Sequence, residues 1–546
     1  MASFTIVLIM LSLVIVSSVL ARVLPISLPL PLIQICLGVL VAIFTEDAVV
    51  LEPHLFFLLF LPPLLFIEGW RIPKAGLLND AGMIFELAFG LVIFTVLGIG
   101  LFLHWLIPAM PYAVCFALAA VLSPTDPVAV SSLTKKMPIP KRFMHILEGE
   151  SLLNDATGLV CLRFAIAAAL TGVFSLPDAT LVFLWLVVGG VGSGVALTFV
   201  VTLTKDFFYR HFGEESGTQI LISLILPFAA YILAEHINSS GILAAVAAGI
   251  AMSYAEQSGR AMASTRVRRH VVWDVIGFSL NGVIFVLLGE QLPSIYKGAR
   301  DVILTDGVHG PVWLFLYVAV VTIALAVARF TWVVVSMKLS DYINKLKKNE
   351  VPPSFSLGAA LLMTVSGVRG AITLAGILTL PLLMSDGSEF PSRDLAIFIA
   401  AGVIILSMLL ATIFLPLVIK YFALPDHHDL QSVEEMARVA ASQAAIEAVD
   451  TAYREMASDK PDPEIYAAVA SRIMDHYRRV IEGNSDEGED TETMRYAESI
   501  ERKLSIIALG AARNKLFHLS RTRKIDDDVM RRLVREIDLS EARYQI

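Results

Sequence analysis

Charge is sparse in this chain. Asp, Glu, Lys and Arg together make up 17% of its 546 residues, whereas 56% are hydrophobic; a soluble domain carries roughly a quarter charged residues. The three cysteines, Cys36, Cys115 and Cys161, lie inside apolar runs. Their spacing suits neither a disulfide framework nor a metal site, so they read as small buried hydrophobes. No G-x-x-x-x-G-K-[ST] stretch occurs, so ATP-driven pumping through that motif is unsupported. No positive charge precedes the apolar residues 4–20, as it would in a secretory signal, and the segment reads as a retained first span.

What is abundant is long apolar sequence. A helix crossing ~30 Å of hydrocarbon needs ~20 mostly apolar residues. Such runs fall near 4–20, 26–44, 54–69, 82–104, 111–134, 144–171, 180–204, 218–236, 241–255, 273–292, 311–336, 356–380 and 395–420. The expected fold class is therefore an all-α polytopic membrane protein with thirteen spans. From about residue 424 the composition turns charged and helix-forming, which predicts a membrane domain over 1–423 and a helical tail over 424–546. The net charge of −8 averages these unlike regions and says little about partners.

Lys and Arg in the connecting segments set the orientation. Seventeen lie on one side, from Arg22 and Arg71 through Lys135, Lys205 and Arg269 to Lys348; only Lys297, Arg300 and Arg393 lie on the other. The basic side is cytoplasmic, so the N-terminus is outside and the tail inside a cell inner (plasma) membrane. In the tail, Ile506, Leu509, Ala512, Leu516 and Leu519 step along one helix face, and Gly483-Asn484-Ser485-Asp486 reads as a break.

Ionisable groups within spans are costly and mark function by default. Ser123-Pro124-Thr125-Asp126-Pro127 sits in span five, where two prolines remove backbone donors and unwind the helix. Unwound backbone at membrane depth requires protein or water around it. Thr125 and Asp126 there offer oxygens to a hard cation, and Asp126 also suits a helix cap. In span six, Glu148-Gly149-Glu150-Ser151-Leu152-Leu153-Asn154-Asp155 places Ser151 with Asp155 on one helix face and Glu150 with Asn154 on another. Burial disfavours a charged carboxylate, so a proton and a cation compete for the deepest one, Asp155. Arg163, two turns further, is too far for a direct pair with it. Ser366-Gly367-Val368-Arg369-Gly370 interrupts span twelve, and Arg329 lies in span eleven. These two arginines require anionic partners, for which Glu150, Glu148, Glu86 and Glu68 are candidates; their roles are structural or electrostatic. Broken spans seven apart, in corresponding positions, point to inverted six-span repeats with the site at the midplane.

Residues 123–128, 149–156 and 366–371 resemble the signatures of cation/proton antiporters of the NhaP/NHE type. Leu61–Phe66, Ser239–Ala244 and Leu287–Leu292 are also similar, and the likeness covers about 1–420. Length and charged tail resemble the YjcE-like bacterial subgroup. The resemblance implies an NhaA-like fold of inverted repeats and an electroneutral exchange of Na⁺, K⁺ or Li⁺ for H⁺ that serves pH homeostasis. Asp155 would be the essential carrier, with Asp126, Thr125 and Ser151 as further Na⁺ ligands. Asn154 would hold the unwound segment, Glu150 would pair with Arg329, and Glu68 would be an accessory acid. A homodimer in the lipid bilayer is implied, without a cofactor, enzymatic chemistry or a nucleic-acid partner. A cation channel, an organic-anion carrier on the same scaffold, and a sensor tethered to a degenerate transporter are the rival readings.

Overall fold

The computed structural model describes residues 2–24, 28–44, 53–72, 80–127, 130–131, 141–171, 176–212, 215–256, 263–305, 310–346, 356–384, 387–422, 429–457 and 463–485, with isolated positions between 509 and 541. Regular structure there is helical apart from one isolated bridge, Leu383 to Glu389. The helices in chain order are α1 (Ala2–Val23), α2 (Leu30–Phe44), α3 (Pro53–Arg71), α4 (Ala81–Leu106), α5 (Tyr112–Leu122), α6 (Lys141–Thr171), α7 (Leu176–Phe212), α8 (Ser216–His236), α9 (Gly241–Glu256), α10 (Ala263–Thr305), α11 (Val312–Leu346), α12 (Leu357–Val365), α13 (Ala371–Leu378) and α14 (Arg393–Tyr421). Beyond them lie α15 (Asp429–Ala457) and α16 (Pro463–Ser485). Among the described residues, eight helices are long and apolar enough to cross a membrane: α1, α4, α6, α7, α8, α10, α11 and α14. Shorter apolar helices are α2, α5 and α9. This is a polytopic α-helical membrane protein.

The chain divides into two compact units, Met1–Pro425 and Asp426–Ile546. In the first, α2 packs on α10, α3 on α9, and α7 and α8 on α9. Lipid supplies no hydrophobic drive between helices, so close packing depends on small residues that let backbones meet. Gly38 of α2 and Gly289 of α10 provide this: a side chain on Gly38 would run into the Val286 carbonyl and come within 3.0 Å of the Gly289 Cα. Gly249 of α9 lies in the same way against the Phe66 carbonyl of α3. A second set gathers α4, α5 and α6 with α11, α12, α13 and α14, and α10 also packs on α14. The outer faces of α1 and α7 leave Ile15, Val19, Leu181, Val188, Phe199 and Phe207 exposed, as a lipid or subunit contact permits and water does not.

Four features position the site. Helix α5 stops at Leu122, and Ser123 to Asp126 are non-helical before helix resumes at Pro127. Between α12 and α13 the backbone is again unwound. Helix α4 carries a π-helical turn, Glu86–Leu91, that the sequence did not announce; Glu86 within it accepts a 2.6 Å hydrogen bond from Ser336. Helix α6 runs unbroken past both breaks.

In the second unit α15 and α16 pack on each other and bury Ser442 and Ala470. Helix α16 continues through Gly483 and Asn484 and its described part ends at Ser485, within the expected break; Asp486 lies outside the described residues. So do Ile506, Leu516 and Leu519 of the expected apolar stripe, and the basic segments 73–79, 132–140 and 347–355.

Candidate ion-binding site

The two helix breaks meet. The backbone N–H of Asp126 donates to the Val368 carbonyl at 2.7 Å, which ties the interruption after α5 to the one between α12 and α13. Freed backbone groups inside a membrane need such partners. Gly370 makes the crossing possible, because a Cβ there would collide with the Asp126 carboxylate.

Helix α6 presents two chemically distinct faces to this crossing. On one, Glu150 and Asn154 join a closed polar network. Arg329 of α11 forms a bidentate pair with Glu150 through Nη1 to Oε1 and, at 2.8 Å, Nη2 to Oε2; its Nε donates to the Met363 carbonyl at 2.8 Å. The Asn154 amide donates to Thr125 Oγ1 at 3.1 Å, and Thr125 donates to Glu150 Oε1 at 3.3 Å. Side-chain exposure is 3% for Arg329 and 0% for Glu150, so each charge depends on the other. Of the four candidate carboxylates, Glu150 is the one in contact with Arg329.

On the other face, Ser151 and Asp155 line a small cavity with Asp126, Thr125 and Pro124 from the first break, Glu68 and Leu64 from α3, and Gly370 to Thr373 at the second break. Asn281 of α10 completes the wall. Residues with three carboxylates, three hydroxyls and an amide thus line one enclosed space, a hard-oxygen donor set suited to an alkali cation or to protons. Glu68 Oε2 and Asn154 Oδ1 are buried without a hydrogen-bond partner, and Asp155 is 3% exposed.

Arg369 does not reach a carboxylate among the described residues. Its Nε donates to the Leu122 carbonyl at 3.0 Å and its Nη1 to the Gly367 carbonyl at 2.5 Å. It therefore bridges both breaks through backbone acceptors that unwinding left free. The polar wall residues that sequence reasoning missed are Thr373 of α13 and Asn281 of α10. The sequence signal of Asn281 is an amide near the middle of the apolar run 273–292, and it has no hydrogen bond among the described residues.

Beside the small cavity lies a larger one of about 480 Å³, lined by Glu68, Ser151 and Asn281 at its inner end and by Arg71, Glu148 and Asp274 further out. Arg71 and Asp274 pair across it at 2.5 Å. At the other end of α6, Arg163 pairs with Glu235 of α8 at 2.7 Å, and Glu235 also accepts the Gly241 N–H at 3.3 Å. The α6 site is thus approached from one end by an open vestibule and tied at the other to α8.

A multi-pass helical bundle with buried carboxylates at the crossing of two broken helices has the construction of a secondary carrier. The family described as "Sodium/hydrogen exchanger, transmembrane" matches residues 7–421, and the chain belongs to it. Among curated relatives it is 39% identical to the uncharacterized Na(+)/H(+) exchanger YjcE of Escherichia coli K12, covering 99% of both chains. It is 42% identical to the sodium, potassium, lithium and rubidium/H(+) antiporter of Bacillus subtilis over 76% of this chain and 61% of that one. The solved sodium proton antiporter MjNhaP1 of Methanocaldococcus jannaschii shares the fold, with a TM-score of 0.58 at 17% identity over 77% of this chain and 98% of its own.

Proposed function

We propose that Asp155 is the shared carrier through which this protein exchanges a monovalent cation for a proton. The class of activity follows from family membership: the chain is a cation/proton antiporter, a transporter and not an enzyme. The observation that carries the site reading is the single cavity in which Asp155, Asp126, Thr125 and Ser151 converge. Deprotonated Asp155 binds the cation, with Asp126, Thr125 and Ser151 completing the shell. Protonated Asp155 makes the return movement without it. If the bundle moves only when Asp155 is neutralised by one ion or the other, counterflow is obligatory. Both half-cycles then carry equal charge, so exchange is electroneutral. Glu68 acts as an accessory acid. The Glu150–Arg329 pair and Arg369 hold the crossing and balance its charge.

In this reading the thirteen apolar segments form inverted six-helix repeats, spans one to six and eight to thirteen, with breaks in five and twelve. The protein sits in the cell inner membrane with its N-terminus outside and residues 424–546 as a cytoplasmic domain. It needs no cofactor beyond the transported ions, and its exposed α1 and α7 faces suit a homodimer. The enclosed cavity at Asp155, itself only 3% exposed, favours a carrier over an open pore.

The test uses purified protein in liposomes. Asp155→Asn should abolish cation-driven proton movement, by at least a hundredfold, while the protein stays folded. In the unmodified protein, acidification should raise the apparent cation KM because protons occupy the same carboxylate, and clamping the membrane potential should leave the rate almost unchanged. Near-normal exchange by the Asn variant would overturn the assignment.

A further inference from the structure

One carboxylate on the route to the site has no part in the mechanism above. Glu148 stands seven residues before Asp155 and three before Ser151, so all three share one side of α6, with Glu148 about 10 Å from Asp155 along the axis. Both Glu148 and Ser151 line the large vestibule, and both Ser151 and Asp155 line the small cavity. The face of α6 that carries the candidate ion ligands therefore continues outward as the vestibule wall.

Among the described residues the charges along that wall do not cancel. The charged residues described there are Glu68, Arg71, Glu148 and Asp274. Arg71 and Asp274 neutralise each other across the space. Two carboxylates remain, Glu68 at the inner end and Glu148 further out, and Glu148 has no ion pair or hydrogen bond among the described residues. A water-filled recess with low-dielectric walls and net negative charge focuses its field and concentrates cations. At about 480 Å³ the vestibule has room for a cation that keeps most of its water.

We propose that Glu148 is a capture carboxylate. A hydrated monovalent cation dwells against it, then passes between Glu68, Asn281 and Ser151 and sheds water as it reaches Asp126 and Asp155. Glu148 attracts and positions the ion; it neither carries it nor exchanges its own proton in the cycle. The inference rests on the Asp155 reading and adds a first station on the way to it.

The experiment uses everted membrane vesicles, whose accessible face is the vestibule side, with Na⁺ as the probe and choline chloride to vary ionic strength. A capture charge acts over about a Debye length, ~10 Å at 0.1 M salt, so salt screens it. Glu148→Gln should raise the apparent Na⁺ KM three- to tenfold at low ionic strength with kcat unchanged. It should also flatten the rise of KM with choline chloride that the unmodified protein displays. Glu148→Asp should restore that salt dependence, and Glu148→Lys should invert it. A structural role would lower kcat or thermal stability and leave the salt slope alone. Either that pattern or an unchanged KM would overturn the proposal, as would a rise in KM that Glu148→Asp does not reverse. Asp155→Asn assayed alongside separates the two readings. An active Asp155→Asn removes the carrier assignment, whereas an inactive one beside a wild-type-like Glu148→Gln removes the capture role alone.

Discussion

In the α2–α10 pair a side chain on Gly38 would strike the Val286 carbonyl; at the break before α13 one on Gly370 would strike the Asp126 carboxylate. In the first helix set Gly38 with Gly289, and Gly249 against the Phe66 carbonyl, bring backbones together. At the second break, glycines admit charged side chains instead, since Gly367 lies against the Arg329 side chain just as Gly370 lies against Asp126. Backbone-to-backbone packing resists sliding, because interlocked surfaces have few alternative registers. A break lined by side chains and held by single hydrogen bonds offers the charged centre of a carrier. The contrast sets α1–α3 with α7–α10, from which Leu64, Glu68 and Asn281 reach the cavity wall, as scaffold against the proposed ion-handling set α4–α6 with α11–α14.

Substituting the two kinds of glycine should break the comparison most visibly. Gly289→Leu should cost at least about 3 kcal/mol, because overpacking against backbone finds no side chain to yield. The yield of folded protein and its Tm should both drop. Gly370→Ala should instead reduce exchange at least tenfold and lower Tm by less than Gly289→Leu does, since it displaces Asp126, a ligand in the proposed site, and strains one helix crossing rather than a whole helix pair. Equal losses of stability in both would erase the distinction.

The buried pair gives the next largest effect. Neutralising Glu150 or Arg329 alone leaves an uncompensated charge costing about 3–5 kcal/mol, read as lowered thermal stability of the detergent-solubilised protein. Neutralising both should recover part of the loss. Strictly additive losses in that cycle would show that the two side chains are not coupled.

The smallest effect concerns the far end of α6. Arg163 and Glu235 are about a third exposed, so the pair is worth at most about 1 kcal/mol. Arg163→Gln should hardly alter Tm. It should loosen the tie between α6 and the scaffold helix α8 and raise alkylation of a cysteine placed at the Arg163 end of the site by a few fold. Unchanged alkylation would remove this pair from any gating at that end.

Local chemistry was legible in the chain because it depends on near neighbours. Pro124 and Pro127 delete donors within their own turn, and Gly367 and Gly370 permit unwinding beside Arg369, so both breaks stood in the sequence. The four-residue spacing of Glu150 with Asn154 and of Ser151 with Asp155 put each pair on a face of α6, because helix periodicity leaves no choice, and packing made one face the network and the other the cavity wall. Tertiary structure alone decided what depends on the depth and rotation of distant helices. From residue types, Arg329 had four candidate carboxylates, and helix packing brought Glu150 to it while Glu86 took Ser336. Arg163 met Glu235, 72 residues away. Arg369 found backbone carbonyls that become acceptors only once both helices are broken. Asn281 and Glu148 gained a wall in common with the site from packing, since an isolated polar residue in an apolar run carries no record of what it will face.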